Sequence, residues 1–323
     1  MNKGIEYFGI DISHLVFDVT DSDGNHYEFK NNGAGFKKFT KLLNHNSHCV
    51  MEATGYYHYK LAYHLLESGI KVSVENPLAV KRFIQMKLSK IKTDKSDSKL
   101  ICEYAEQVEL KLWQGNSKNE IECLQMVRSL SVYTKQSTML KNKLHSEAVL
   151  GNPSRVVVSS LKRSLNHLEK EIKNLEDKLL VLVKQVHQDL LTRLGTIPGI
   201  GRKTAIMLVV LTGGFERFNS ASELCSYAGL TPVIRQSGSS VNGRPRISKI
   251  GNQKLRNLLF MCSFNACKYN KACRDLYERI VAKGKSKKLA LIAVCNKLLK
   301  QAFAIAKSGL IYDDTYRSTL VKI

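Results

Sequence analysis

The amino-acid sequence predicts an α/β domain with a mixed β-sheet, followed by a helical connector and a mainly α-helical C-terminal domain. Three observations predict this order. Short strand and helix patterns alternate over the first hundred residues, a heptad pattern of leucines follows, and helical patterns dominate beyond residue 190. The chain has 323 residues, which is more than one typical domain. We therefore expect three parts, at residues 1–110, 111–190 and 191–323.

The composition indicates a globular protein that binds a polyanion. Hydrophobic residues make up 43% of the chain, which argues against wholesale disorder, and the formal net charge is +22. Nucleic acid is the natural partner for such a charge, and an anionic membrane surface is the weaker alternative. The most apolar run, residues 204–215, falls short of the ~20 residues that span a bilayer, so no membrane partner is expected.

The cysteines and the first residues bear on the compartment. Eight cysteines occur without a Cys-x-x-Cys pair, which is typical of buried thiols in a reducing compartment rather than of disulfides or a zinc site. Residues 1–6 do not resemble a signal peptide, because a strand pattern with an acid follows at once. We expect a cytoplasmic protein.

The N-terminal domain begins with three strand patterns, and a strong hairpin-turn sequence at residues 21–25 separates the second from the third. Helix and strand patterns then alternate, which is the order of a mixed sheet with helices packed on it. The predicted strands are residues 7–13, 15–20, 26–31, 49–52 and 72–75, and the predicted helices are residues 33–43, 57–67, 78–86 and 94–105.

Four carboxylates in this domain form a candidate metal site. Asp11 and Glu52 fall on strands, whereas Asp94 and Asp97 are three residues apart and share one face of a helix. Converging carboxylates repel one another unless a cation lies between them, and oxygen ligands without Cys or His suit Mg²⁺ or Mn²⁺. Two such ions would activate an oxygen nucleophile at a phosphodiester. The plainer alternative makes Asp94 a helix-capping residue or an acid of the first helical turn, and Asp97 a surface acid.

Residues 81–93 contain five cations and no acid, and they include Lys81, Arg82 and Lys92. Such a segment would hold a phosphate backbone beside the four carboxylates.

The connector contains a predicted helix at residues 122–150, which Pro153 ends. Leucine, isoleucine and valine then recur at alternating steps of four and three from Leu161 to Val186, which predicts a coiled coil. The coiled coil would form either an antiparallel hairpin with the preceding helix or a contact between subunits.

The C-terminal domain begins with a Pro-Gly-x-Gly sequence between two helical patterns, as in a helix-hairpin-helix. Gly199 and Gly201 would let backbone N–H groups approach a phosphate, and Arg202 and Lys203 would add positive charge. The alternative is a plain turn between two helices.

A serine cluster lies within an acid-free stretch that runs from Tyr227 to Arg274. Ser237, Ser239 and Ser240 lie on a glycine turn at Gly238 in a cationic field, where a polyanion would dock and meet a nucleophile, although a solvated basic loop would look the same. No histidine lies nearby, so activation of the serine would have to come from the metal site of the N-terminal domain. The cations that would bind nucleic acid or stabilise a phosphoryl group are Arg235, Arg244, Arg246, Lys249 and Arg256.

Motifs in both halves of the chain resemble the DEDD transposases of the IS110 insertion-sequence family, and with them the recombinase that inverts pilin genes. They are residues 9–11, 52–55, 76–77, 92–97, 197–201, 228–232, 237–240 and 247–256, in order along nearly the whole chain. Two positions depart from the family pattern. His14 stands where a lysine is usual, and Ser98 stands where an alanine is common; neither is a proposed ligand or nucleophile.

The resemblance implies a RuvC/RNase H-like domain, a coiled-coil connector and a serine-bearing domain. It implies that Asp11, Glu52, Asp94 and Asp97 hold Mg²⁺ and that Ser237 forms a covalent phosphoserine link to DNA. The implied partners are donor DNA, target DNA and a bridge RNA that pairs with both. We also expect a homo-oligomer, either a dimer or a tetramer, because cutting and rejoining two duplexes needs more than one active site.

Three functions compete at this point. The favoured one is a transposase or site-specific recombinase that uses metal and serine together and acts at the nucleoid. The second is a metal-only, structure-selective nuclease similar to a junction resolvase, which would need Asp11 and Glu52 but not Ser237. The third is a non-catalytic nucleic-acid scaffold.

Overall fold

A computed structural model describes residues 4–53, 55–88, 93–234, 236–237, 241–243 and 246–315 of the chain. The chain divides into two compact units, Met1–Asn116 and Ser117–Ile323. The helices of the predicted connector belong to the second unit. The division into three parts stays a prediction.

The first unit is built on a mixed five-stranded sheet with the strand order β3-β2-β1-β4-β5. Its strands are β1 (Glu6–Ile12), β2 (Val16–Asp21), β3 (His26–Lys30), β4 (Ser47–Glu52) and β5 (Lys71–Glu75). The first three strands pair antiparallel, and β4 pairs parallel with both β1 and β5. This topology confirms the predicted α/β class with a mixed sheet.

The hairpin turn between β2 and β3 has the chemistry that its sequence predicts. The Asp21 carboxylate accepts hydrogen bonds from the backbone N–H groups of Asp23 at 3.1 Å and Asn25 at 2.8 Å. Gly24 has φ +86°, a conformation in which glycine has no Cβ penalty. The turn therefore sets the register of the two strands.

Helices cover both faces of the sheet. They are α1 (Gly33–Thr40), α2 (His58–Glu67), α3 (Pro77–Met86) and α4 (Asp94–Gln107). Phe8 and Ile10 of β1 point into a core that includes residues of α1 and α2, whereas Val50 of β4 packs with residues of α3 and α4. Because strand residues alternate between faces, Asp11 lies on the second face.

A close approach of backbones fixes α4 on that second face. A Cβ at Gly9 would collide with backbone atoms of Ser98 and Cys102, so only glycine lets α4 lie this close to β1. The Thr20 and Ser98 hydroxyl groups are hydrogen-bonded at 2.8 Å in the same buried contact. The contact positions the N-terminal end of α4 beside the sheet.

The second unit is mostly helical. Its helices are α5 (Lys118–Val149), α6 (Arg155–Gly195), α7 (Arg202–Thr212), α8 (Ala221–Tyr227), α9 (Gln253–Tyr269), α10 (Lys271–Ala282) and α11 (Lys287–Ser308). Four two-residue strands lie between α8 and α9, namely β6 (Pro232–Val233), β7 (Gln236–Ser237), β8 (Val241–Asn242) and β9 (Arg246–Ile247). β6 pairs with β9 and β7 pairs with β8, both antiparallel.

The helices α5 and α6 pack against each other. The helix α6 is interrupted at His187, whose backbone is not helical. Only part of the predicted heptad seam is buried. Leu179 is buried in the core of the second unit, whereas Val186 is 61% exposed. A coiled coil between subunits stays a prediction.

The expectation that no segment is long and apolar enough to span a membrane is wrong. Within the described part of the chain, α11 meets that test by length and composition, and residues 204–215 are not the best candidate. Val294, Cys295, Leu298 and Leu299 of α11 are fully buried in the core of the second unit. The apolar composition of α11 is accounted for by this packing.

Thiol burial agrees with the sequence-based expectation. All eight cysteines are free, and seven of them are buried. Burial raises the pKa of the Cys295 thiol to about 12, so it stays protonated and behaves as an apolar side chain.

Candidate active site

Asp11 lies near the C-terminal end of β1, on the sheet face that α4 covers. Its Cα partner on the antiparallel neighbour β2 is Asp18, so the two carboxylates stand side by side on one face. Asp18 is only 6% exposed and is hydrogen-bonded to the His26 ring at 2.8 Å. A carboxylate pair with this placement is costly unless a cation or a donor compensates it.

Glu52 is the last residue of β4. In the parallel pair of β1 and β4, Ile10 is the partner of Met51, and Asp11 and Glu52 are the next residues on each strand. The Cα partner of Glu52 on β5 is Glu75, which accepts a hydrogen bond from the Tyr104 hydroxyl of α4 at 3.1 Å. Burial raises the pKa of the Glu75 carboxyl above its ordinary range.

Asp94 and Asp97 lie in the first turn of α4, which begins at a capping box formed by Thr93 and Ser96. The Thr93 side chain accepts from the Ser96 backbone N–H at 3.1 Å, and the Ser96 hydroxyl accepts from the Thr93 backbone N–H at 2.9 Å. Thr93 is therefore the capping residue, and the capping role that the plainer alternative gave to Asp94 is not needed. Both acids still gain from the helix dipole.

The charges of the other three predicted acids act on Asp11. The pKa of Asp11 is raised from 3.8 to about 6, first by burial and then by the charges of Asp97, Asp94, Glu52 and Asp18. Carboxylates perturbed in this way are found where a cation or a proton is to be bound. The structure thus brings Asp11, Glu52, Asp94 and Asp97 into one electrostatic neighbourhood.

The donor set fits a hard divalent cation, but the side chains do not form a finished coordination site. Within the described ranges, no group of three or more His, Cys, Asp or Glu side chains is arranged to hold a metal ion. The chemistry of the group, four carboxylates with no sulfur or imidazole, suits Mg²⁺ or Mn²⁺. Burial and the neighbouring carboxylates raise the pKa of Asp11, and a bound cation would offset that repulsion.

Sequence reasoning missed Asp18 and Glu75. Both lie opposite a predicted acid in the sheet register, and neither belongs to a recognisable motif. The alternation of strand residues puts Asp18 on the same face as Thr20. This alternation alone would not have placed Asp18 beside Asp11, because that placement also requires the pairing register of β1 and β2.

An aromatic rim borders the acids at the ends of β1 and β4. The rings of His14 and Tyr57 are in edge-to-face contact, with centroids 5.5 Å apart, and Tyr56 is 61% exposed. His14 follows Asp11 by three residues and Tyr57 follows Glu52 by five. The departure from lysine at position 14 therefore places a ring, rather than an ammonium group, beside this site.

Two of the predicted cations of the first unit lie on α3. Lys81 and Arg82 are exposed on this helix. Lys92 lies outside the described residues. Lys87, in the same basic segment, forms an ion pair with Glu103 at 3.1 Å, so it is less available to a phosphate.

Ser237 lies in the second unit, in the short hairpin of β7 and β8. Its Cα partner is Val241, and the residue is exposed. Ser239, Ser240, Arg235 and Arg244 lie outside the described residues. An exposed serine in a tight hairpin is accessible to a polymer substrate.

Three predicted nucleic-acid contacts near this hairpin have different environments. Arg246 of β9 is exposed, and Lys249 is exposed with φ +56°, a left-handed conformation that is rare for lysine. Arg256 of α9 instead donates to the Ala228 carbonyl oxygen at 2.9 Å and is partly buried. Arg256 thus holds the loop in place, and its contact with nucleic acid stays a prediction.

The Pro-Gly-x-Gly segment connects α6 to α7. Gly199 has φ +102°, and a Cβ there would lie 2.8 Å from the Cβ of Ala266, so the loop packs against α9. Gly201 caps α7, Arg202 is its exposed first residue, and Lys203 forms an ion pair with Glu176 at 2.7 Å. Packing alone explains Gly199, and a phosphate-binding helix-hairpin-helix stays a prediction.

Comparison with known proteins finds two transposase family models, one in the N-terminal half of the chain and one in the C-terminal half. A transposase family model of the DEDD, IS110 type matches residues 8–151, a range that contains all four predicted acids. A model described as the transposase IS116/IS110/IS902 family matches residues 191–278, a range that contains Ser237.

Individual relatives cover most of the chain. The pilin gene-inverting protein of Moraxella lacunata is 33% identical over 322 residues, which is 95% of this chain and 97% of the relative. The transposase of insertion sequence element IS1111A from Coxiella burnetii is 23% identical over 77% of this chain and 74% of its own length. An uncharacterised protein of insertion element IS110 from Streptomyces coelicolor is 32% identical over 49% of this chain and 38% of its own length.

Proposed function

Because the chain belongs to the IS116/IS110/IS902 family of transposases, we propose that it cuts and rejoins DNA through a divalent metal ion and a serine nucleophile. The single observation that carries this proposal is the placement of Asp11 and Glu52 at the ends of neighbouring parallel strands, on the sheet face against which α4, with Asp94 and Asp97 in its first turn, is packed. Those acids are the donors that the chemistry requires, and they come from three different elements of one fold.

The acids would hold Mg²⁺, or Mn²⁺ in its place. A bound divalent ion at such a site supplies charge stabilisation at a phosphodiester and makes an oxygen nucleophile more reactive. The protein would contribute the carboxylates and hold them in fixed positions relative to one another. Gly9 and the Thr20–Ser98 contact support this arrangement, because they hold the N-terminal end of α4 against β1.

Ser237 would supply the nucleophile. Its Oγ attacks the phosphorus atom and loses its proton, a P–O bond to serine forms, and the bond to the leaving sugar oxygen breaks. A hydroxyl of another DNA end then attacks the same phosphorus atom and releases the serine, so the phosphodiester bond is conserved. Arg246 and Lys249 are exposed cations near the hairpin that suit the charge of the transferred phosphoryl group.

The remaining partners belong to the same proposal. A bridge RNA would choose the donor and target DNA by base pairing, and a dimer or tetramer would provide more than one active site. The net charge of +22 supports binding of several nucleic-acid strands at once. The protein would act in the cytoplasm, at the nucleoid.

The decisive experiment compares serine variants on end-labelled DNA. We expect Ser237→Ala to abolish both strand joining and the covalent protein–DNA adduct on a denaturing gel. Ser239→Ala and Ser240→Ala should keep the adduct. Recombination by Ser237→Ala would show that the nucleophile has been assigned wrongly.

A metal-only nuclease is the second candidate, and one observation favours it. The acids and Ser237 belong to different compact units, so the first unit contains the whole carboxylate group by itself. Such a nuclease would still cut branched DNA after Ser237→Ala, release it without an adduct, and lose cutting after Asp11→Asn. A scaffold without catalysis would keep its cellular activity after Asp11→Asn.

A further inference from the structure

The hairpin formed by α5 and α6 is nearly free of acidic residues over most of α5, its turn and the start of α6. Between Cys123 and Leu168 the chain has one acid, Glu147, and seven lysines or arginines. Glu147 is nearly buried and forms an ion pair with Lys143 at 2.6 Å. The end of the hairpin is therefore almost free of exposed negative charge.

A shallow surface cleft of about 400 Å³ lies at this end, beside the turn that joins the two helices. Polar and cationic side chains form most of its lining: Pro153, Arg155, Val158, Ser159, Lys162, Arg163 and Asn166. Most of these residues recur at steps of three and four, so one face of α6 provides the cleft.

The three cations of the cleft have no acidic partner among the described residues. The ion pairs of this hairpin involve other lysines, such as Lys141 with Glu169 at 2.9 Å. Arg155, Lys162 and Arg163 are exposed, and from Ala148 to Leu168 the sequence contains no Asp or Glu. Their charge is thus available to an external anion.

We propose that this cleft, which we call the hairpin-tip cleft, binds the phosphate backbone of duplex DNA. Arg155 and Arg163 are eight residues apart, which is about 12 Å along a helix, and duplex DNA presents about seven phosphate charges over that length. Arginine pairs with phosphate through two N–H groups, and Ser159 and Asn166 add neutral donors. A second copy of a chain with net charge +22 is a poorer occupant, because the same positive field repels it.

This inference rests on the proposed action on DNA, but it concerns a surface remote in sequence from Asp11 and Ser237. The hairpin tip would hold DNA without reading its sequence, because phosphate contacts position a duplex and base contacts specify it. A contact there would lengthen the stretch of duplex that the protein binds beyond the reacting phosphate.

The test measures binding of a fluorescent duplex of unrelated sequence by full-length protein with Asp11→Asn, so that no cleavage occurs. One variant adds Arg155→Gln, Lys162→Gln and Arg163→Gln. The control adds Lys170→Gln, Lys173→Gln and Lys178→Gln, which remove the same charge from the part of α6 that also contains Glu169, Glu171, Glu176 and Asp177. Circular dichroism confirms that each protein is folded.

We expect the cleft variant to reduce the slope of log affinity against log salt by about 2 to 3, since each phosphate contact contributes about 0.9. The control should reduce it by less than about 1. Equal slopes for the two triple variants would overturn the hairpin-tip cleft while leaving the proposed function intact. A loss confined to structured RNA, or a change of oligomeric state with unchanged DNA binding, would also overturn it. Failure of the parent protein to bind any duplex would instead reject the proposed function together with this inference.

Discussion

Asp11 is the residue whose environment says most about the chemistry of this protein. Burial is the first cause of its raised pKa, and four neighbouring carboxylates add to it. One of these, Asp18, is directly opposite Asp11 on β2 and is held by His26. Like charges this close to a partly buried acid are unfavourable by themselves, and the proposed cation would compensate them.

The repulsion between Asp11 and the neighbouring carboxylates should make the stability of the fold depend on pH. Because the pKa of Asp11 is raised from 3.8 to about 6, the folded state binds its proton more tightly than the unfolded state does. The resulting stabilisation is complete below about pH 4 and is lost as the pH rises through 6. We therefore expect metal-free Asp11→Asn to be more stable than the parent at pH 7.5, by about 1 kcal/mol after allowance for solvent screening.

Thermal unfolding at pH 7.5 and pH 4.5 checks this expectation. The advantage of Asp11→Asn should shrink at the lower pH, and added Mg²⁺ should stabilise the parent but not the variant. Asp23→Asn, at an exposed position in the hairpin turn, is the matched control and should show neither effect. A variant that is less stable at pH 7.5 would mean that Asp11 has a favourable structural contact instead.

At the scale of elements, the contact between α4 and β1 determines the geometry of the acids. The N-terminal turn of α4 bears Asp94 and Asp97, and its position depends on the absence of a side chain at Gly9. The capping box at Thr93 fixes where the helix begins, so both acids are placed by local sequence and by one close approach.

Gly9→Ala tests this close approach. Its methyl group would collide with backbone atoms of α4, which cannot move away as a flexible side chain could. We expect a loss of about 1–3 kcal/mol in the free energy of unfolding, measured by chemical denaturation, together with weaker Mg²⁺ binding. Gly33→Ala, where a Cβ meets no atom within 4 Å, should leave both quantities nearly unchanged.

The apolar helix α11 packs one face in the core of the second unit. Leu298 is fully buried in the core, whereas Leu289 near the start of the helix is 46% exposed. We expect Leu298→Ala to lower the free energy of unfolding by about 2–5 kcal/mol and Leu289→Ala to lower it by less than about 1 kcal/mol. Similar losses at both positions would contradict the packing of α11 as a core helix.

At the scale of the whole molecule, the predicted metal ligands and the acid-free basic surfaces lie in different units. All four predicted metal ligands belong to the first unit, whereas the acid-free stretch and the hairpin-tip cleft belong to the second. Nucleic-acid binding and DNA cleavage should therefore be separable, because binding depends on lysine and arginine and cleavage depends on the carboxylates.

Removal of the metal tests this separation. Chelation with EDTA should abolish the protein–DNA adduct, since the carboxylates would lose the ion that stabilises charge at the phosphate. DNA affinity at the same ionic strength should fall by no more than about threefold, because lysine and arginine supply the binding energy. The two readouts are an adduct on a denaturing gel and fluorescence anisotropy. Parallel loss of both signals would indicate that the metal organises the DNA-binding surface as well.

The amino-acid sequence by itself determined the order of the elements in the first unit and the family, and it predicted the four acids and the serine as site residues. Strand alternation, helical periodicity and turn residues act over a few positions, and so the mixed class of the sheet and the bounds of α3 follow from local pattern. Only the tertiary structure decided that Asp18 and Glu75 stand opposite the predicted acids and that Arg256 holds a loop. These facts depend on pairing register and packing between segments distant in the chain, and a one-residue change of register would have turned each of these acids to the other face.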